Sequence, residues 1–209
     1  LLMPRTIAPG RSEGKQTPRL RIRCPLWTPA RPAATLPRMA ILSIQSRVVV
    51  GAVGNAIAQP VLQALGHEVW ALDTVLFSNH PGHGAFRGRV TPAAELSDLL
   101  DGIEAHGVLG RCRTVVSGYL GSAATAAVVA ANPDARYVCD PVMGDPDTGL
   151  YVASDIPPAI VERLLPLADV VMPNLFEAAL LAEGPGAPVL SDPEGLAARA
   201  AAIGRHLRP

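Results

Sequence analysis

Cysteine is scarce in this 209-residue chain, and the three that occur, Cys24, Cys112 and Cys139, form no C-x-x-C pair and no even count. That excludes a disulfide framework and argues against a zinc site, and it fits a reducing cytoplasm. Long apolar runs are lacking too: no stretch of about 18 apolar residues could span a bilayer. Charge is sparse, at 17% of residues with a formal net charge of +0. The balance conceals an asymmetry. Residues 1–38 hold eight Lys/Arg against Glu13 alone, a net of +7, which leaves 10 basic and 17 acidic residues from Met39 onward. A net of −7 on that larger part excludes an extended nucleic-acid surface and points to small-molecule partners.

What is present describes one globular α/β domain. Hydrophobic residues make up 49% of the chain, enough for a proper core at this length. Residues 1–38 contain seven prolines and no helical or alternating apolar period, so they are expected to form a disordered basic extension that folding does not require. The prolines also exclude the amphipathic helix of an organelle transit peptide. The domain is expected to occupy residues 39–209.

From Met39 onward, short apolar runs alternate with helical segments, the pattern of a parallel sheet with crossover helices. Strands are expected at Ala40–Ser46, Glu68–Thr74, Arg113–Gly118, Arg136–Asp140 and Asp169–Pro173. A helix over Asn55–Leu65 should end at Gly66, a suitable C-cap. Ser78–Val90, polar and rich in glycine, reads as a flap or lid. Leu96, Leu99, Leu100 and Ile103 follow Thr91-Pro92 at helical spacing, and a short Ala-rich helix is bounded by Asn132-Pro133. Two last helices should start at Asn174 and after Ser191-Asp192-Pro193, where a capping side chain precedes a first-turn proline. No strand follows the second of them, so Leu196, Ile203 and Leu207 are expected to lack a sequential strand to cover.

Ligands of open parallel sheets bind at the carboxyl ends of the strands. Polar residues close each expected strand: Ser46, Thr74, Ser117 to Tyr119, Asp140, and Asn174 with Glu177. Two carboxylates, Asp140 and Glu177, on one sheet edge suit a Mg·ATP site, since Mg²⁺ takes hard oxygen ligands and keeps several waters. The plain alternatives are a strand-end aspartate before Pro141 and a capping box at Asn174-x-x-Glu177, which can coexist with a ligand role. His80 and His83, at i, i+3 in a Gly/Pro loop with no third ligand, read as lid or solvated side chains.

The segments AILSIQSRVVVGAVGN, DTVLFSNHPGHG, VVSGYLGS, YVCDPVMGD and PLADVVMPNLFEAALL resemble, in order and approximate spacing, the front part of the pyridoxal kinases. DPVMGD and P-N-x-x-E are shared with hydroxymethylpyrimidine kinases; SIQS, FSNH and SGYLGS are more specific. The resemblance covers Met39 to about Glu183. It implies a ribokinase-like, doubly wound, mostly parallel sheet with flanking helices, and ATP-dependent phosphorylation of pyridoxal to pyridoxal 5′-phosphate in vitamin B6 salvage. It also implies Mg²⁺, a homodimer, and no membrane or nucleic-acid partner. By motif, Ser46 would bond the pyridine ring, Pro81 and Gly82 would lie over the vitamin as a lid, and Tyr119 would wall the pocket. Asp140, Met172, Asn174 and Glu177 match the nucleotide positions, with Asp140 and Glu177 also serving the metal.

Some departures accompany the matches. Val50 and Ala52 stand where the family usually places Tyr and His. The helix after SGYLGS, Ser122–Ala131, is about two turns shorter than the family's. The family's later G-x-G-D segment, which supplies the anion hole and the catalytic Asp, does not occur up to Pro209, so the resemblance implies a fold incomplete on its C-terminal side and no catalytic residue here. Two other readings stay open: an inactive remnant or binding-only module, and a hydroxymethylpyrimidine kinase relative.

Overall fold

Strand β1, Ala40–Val50, is the centre of the molecule, and its first six residues are buried. A strand covered on both faces needs such an unbroken run. The structure is a computed structural model and describes residues 39–131, 134–189 and 192–208. The expected extension over residues 1–38, Cys24, the Asn132-Pro133 boundary and Ser191 lie outside the described residues.

β1 pairs in parallel with β2 (Glu68–Asn79) on one side and with β4 (Cys112–Ser117) on the other. β3 (Gly88–Val90) pairs antiparallel to β2, while β5 (Arg136–Cys139) and β8 (Val170–Val171) extend the sheet beyond β4 in parallel. The order is thus β3-β2-β1-β4-β5-β8, and β6 (Gly144–Asp145) with β7 (Gly149–Leu150) forms a separate ribbon. The chain moves outward from β1 in both directions. That places the topological switch point, the usual crevice for a ligand, between the carboxyl ends of β1 and β4.

Helix α1 (Asn55–Ala64) packs on β1 and β2. Gly66, at φ 92°, ends it as expected: His67 N–H returns to the Leu62 carbonyl and Gly66 N–H to that of Gln63. Helix α2 (Ala93–Ala105) buries Leu96 and Leu100, with Ile103 partly buried, but Leu99 faces solvent. Helix α3 (Thr125–Val129) is short and almost wholly buried. α5 (Leu175–Glu183) and α6 (Pro193–Gly204) start at Asn174 and Asp192, whose side chains accept from Glu177 N and Gly195 N.

Several expectations are corrected. β1 and β2 run four and five residues past their expected ends, so Ser46 and Thr74 lie inside strands. The polar excursion after Thr74 is not free of the sheet, because Val75 to Phe77 pair with Gly88–Val90 as a hairpin and only the tip around Pro81–His83 stands clear. Between Asp140 and Asp169, where the pattern predicts no element, lie the β6–β7 ribbon and helix α4 (Ile156–Ala159). α4 continues through a π turn to Leu164 and a tight turn to Leu167. Pro157 hides it in the sequence, yet proline in a first turn costs no hydrogen bond. No strand follows α6 among the described residues, as expected, yet Ile203 joins the main core with Leu207 packed beside it, and α6 rests on α5.

Candidate functional site

At the carboxyl ends of β1, β2, β4 and β5 lies a cavity of about 470 Å³, within the size range of small-molecule sites. Its lining includes Ser46, Pro81, Gly82, Tyr119 and Asp140, five of the residues expected at a site. Gln45, His80, Asp145, Thr148 and Tyr151 line it as well. In a regular strand Gln45 and Ser46 would face opposite ways. Here both line the cavity, beside a bulge in β2, where Thr74 and Val75 together lie opposite Ser46 as the register passes from Gln45–Asp73 to Arg47–Leu76.

The walls are fixed locally. Gly54 enters α1 at φ 51° and ψ −134°, and a Cβ there would lie 2.2 Å from the Ser46 carbonyl oxygen and 2.5 Å from its Oγ. Only glycine lets the helix entrance close over Ser46. Val48, Val75 and Phe77 form a small apolar cluster against which Val53 and Tyr119 pack, and the Tyr119 carbonyl accepts from Thr74 Oγ1 at 2.6 Å. The Pro81–His83 tip bends where Gly82 N–H donates to His80 Nδ1 at 3.1 Å.

Asp140 follows β5, its amide donating to the Ser117 carbonyl across the sheet. Its carboxylate accepts no hydrogen bond among the described residues, and burial pushes its pKa above the ordinary carboxylate value. Such a group is poised for a cation. Tyr151, across the cavity, has its phenol pushed up to about 12 by burial first and then by the negative field of Glu177, Asp145 and Asp140. It stays a neutral donor at any physiological pH.

Met172, Asn174 and Glu177 do not line this cavity; they form the adjoining entrance to α5. Met172 is exposed, its amide extending the ladder to the Cys139 carbonyl. Asn174 Oδ1 accepts from Glu177 N, and Glu177 Oε2 accepts from Asn174 N, a complete capping box. The capping reading of Asn174-x-x-Glu177 is therefore realised. Glu177 does more than cap: its Oε1 accepts from Met143 N at 3.0 Å, and Asn174 Nδ2 donates to the Gly144 carbonyl at 2.8 Å. These two bonds clamp the Asp140–Gly144 turn onto α5. Burial raises the Glu177 pKa despite its amide partners, with a further push from Asp140.

Donor chemistry suits a hard cation at Asp140, whose oxygens are uncommitted. Glu177, 3% exposed with one amide on each oxygen, is suited to act through a water rather than by direct ligation. Among the described residues no group of three or more His, Cys, Asp or Glu side chains is gathered as a metal cluster, and no helix is long and apolar enough to cross a membrane. Cys112 and Cys139 are buried free thiols.

Comparison with known proteins identifies relatives of the fold. The phosphomethylpyrimidine kinase family profile matches residues 105–206. The chain is 52% identical over 155 residues to pyridoxal kinase PdxY of Deinococcus radiodurans, covering 70% of this chain and 52% of that protein. It is 43% identical over 168 residues to PdxY of Corynebacterium diphtheriae, covering 77% and 59%. Among solved structures, pyridoxal kinase from Leishmania donovani in complex with ADP and pyridoxine superposes with a TM-score of 0.72 at 33% identity, covering 82% of this chain and 60% of that one. The class defined by fold and site is ribokinase-like, a mostly parallel sheet flanked by helices. Within it the chain is a relative of the pyridoxal kinases, and it spans about half the length of the curated relatives it matches.

Proposed function

We propose that the chain belongs to a pyridoxal kinase, which transfers a phosphoryl group from ATP to the hydroxymethyl group of pyridoxal to give pyridoxal 5′-phosphate and ADP, and that the residues present supply the vitamin cavity and part of the nucleotide site but not the anion hole or the catalytic Asp. The observation that carries this reading is the single cavity that gathers Ser46, Pro81, Gly82, Tyr119 and Asp140 at the switch point of the sheet. The vitamin would lie against Ser46 and Tyr119 under the Pro81–Gly82 tip. ATP would approach from the Asp140 side, along the α5 entrance formed by Met172, Asn174 and Glu177.

Mg²⁺ would be held by Asp140, with Glu177 bonding one of its waters; when bound, it neutralises charge on the phosphates. Phosphoryl transfer depends mainly on positioning and electrostatics, so these residues act by fixing the ends of the reaction path. Met172 offers shape alone, because a thioether has no proton to donate.

Release of ADP on mixing the protein with pyridoxal, ATP and Mg²⁺ tests the reading. Turnover that Asp140→Ala abolishes supports it. Saturable vitamin binding with no turnover favours the binding-only alternative, and a hydroxymethylpyrimidine outcompeting pyridoxal favours the related kinase.

A further inference from the structure

Beneath the cavity runs a buried polar chain whose direction is set at its far end. Asp73 carries a carboxylate held by Arg47 Nε at 2.6 Å, and a carboxylate can only accept. Asn55, 0% exposed, must therefore turn its amide nitrogen toward Asp73, and Nδ2 donates to Asp73 Oδ1 at 2.8 Å and to the Leu72 carbonyl at 2.9 Å. Both partners are acceptors, which fixes which end of the Asn55 amide is which. Asn55 Oδ1 then accepts from Ser43 Oγ at 2.7 Å. Ser43 has spent its proton, so its oxygen takes the hydrogen of Gln45 Nε2 at 2.9 Å. The last amide in the chain is left with one orientation, nitrogen inward and Oε1 outward.

Gln45 Oε1 accepts no hydrogen bond from any described residue, and Gln45 lines the cavity. The space it occupies is kept by Gly118, where a Cβ would stand 2.8 Å from Oε1. A bare acceptor at the wall of a small-molecule cavity, with its orientation locked through buried Ser43 and Asn55 and half-buried Asp73, is a reader of hydroxyl donors. We propose that Gln45 is a specificity-determining residue that accepts a hydrogen bond from a ring hydroxyl of the vitamin, and that Ser43 and Asn55 are positioning residues that hold its carbonyl outward. The assignment rests on the pyridoxal-kinase reading of the cavity. A site built to bond a hydroxyl discriminates against the analogue lacking it, because its own polar group is then left unpaired.

The test is calorimetric titration of pyridoxine, 3-deoxypyridoxine and 4-deoxypyridoxine into the unaltered protein, Gln45→Met and Ser43→Ala, with thermal melts to verify folding. The expected result is that Gln45→Met weakens pyridoxine and 4-deoxypyridoxine about tenfold, the scale of one hydrogen bond, yet leaves 3-deoxypyridoxine, which lacks the ring hydroxyl, unchanged. Ser43→Ala, which touches no ligand, should weaken pyridoxine by a smaller factor and lose the same selectivity, a pattern that a packing role would not give. Gly118→Ala, which displaces the Gln45 amide, should do likewise if Gln45→Met fails to fold. Pyridoxine binding that is unchanged in these variants, or equal losses for all three ligands, overturns the assignment alone. Failure of the unaltered protein to bind any of the three overturns the kinase reading and the assignment with it.

Discussion

Gly54→Ala joins the fold to the site in one substitution. The residue sits at φ 51° and ψ −134°, a region that side chains with a Cβ rarely enter, and the new methyl would fall 2.2 Å from the Ser46 carbonyl oxygen. Neither group can yield cheaply, since the oxygen is backbone and a Cβ moves only with the backbone that carries it. Strain and overlap together should cost roughly 3 kcal/mol. For a chain of this size that is a fall in Tm of about 6–12 °C. Gly66→Ala is the control: its φ is 92°, but nothing lies within 4 Å of the added carbon. It should lose about 1 kcal/mol, or about 2–4 °C, from dihedral strain alone. Scanning calorimetry reads the stability difference, and pyridoxal titration reads the site. Gly54→Ala should weaken pyridoxal by displacing Ser46, whereas Gly66→Ala should not. Equal melting temperatures for the two variants, with equal pyridoxal affinity, would refute the claim that the α1 entrance is braced on Ser46.

Other outcomes follow from the same structure. Asp140→Asn should stabilise the protein at neutral pH, because burial raises the native pKa above its unfolded value. That carboxyl favours folding while protonated and loses the contribution as pH rises through its native pKa, so the variant's advantage should vanish in acid melts below the carboxylate range. Asn174→Ala removes the α5 cap and the bond to the Gly144 carbonyl; a loss of about 1–2 kcal/mol is expected in urea unfolding. Leu42→Ala empties a fully buried position near the start of β1 and should cost about 2–5 kcal/mol, read by the same denaturation. On the composition of residues 1–38 alone, their removal should leave the melting temperature unchanged, by differential scanning fluorimetry.

Local chemistry made part of this legible. Asn174-x-x-Glu177 and Asp192-Pro193 announced helix starts because a cap needs only a side chain and the next turn, and Gly66 announced a stop for the same reason. The alternation of apolar runs with helical segments located the five parallel strands, and of the polar residues expected to close them Ser46, Tyr119 and Asp140 line the cavity. What stayed hidden depends on contacts distant in sequence. β2 runs on to Asn79 because Val75 to Phe77 find partners in Gly88–Val90, which no local signal states. Pro157 masked α4, although its position in the first turn is compatible with a helix. Gln45 is not legible beside Ser46, since strand alternation turns neighbours apart, and the bulge of β2 opposite Ser46 depends on pairing that no local signal states. Glu177 joined the site residues on its charge, yet its oxygens hold the Asp140–Gly144 turn in place.

The central claim is that the vitamin occupies the cavity at the β1–β4 switch point. A crystal structure of the protein with pyridoxal tests it most directly. The account predicts ring density between Ser46 and Tyr119, under Pro81 and Gly82, with its hydroxymethyl group toward Asp140. Density at another site, or an empty cavity at saturating pyridoxal, would contradict it.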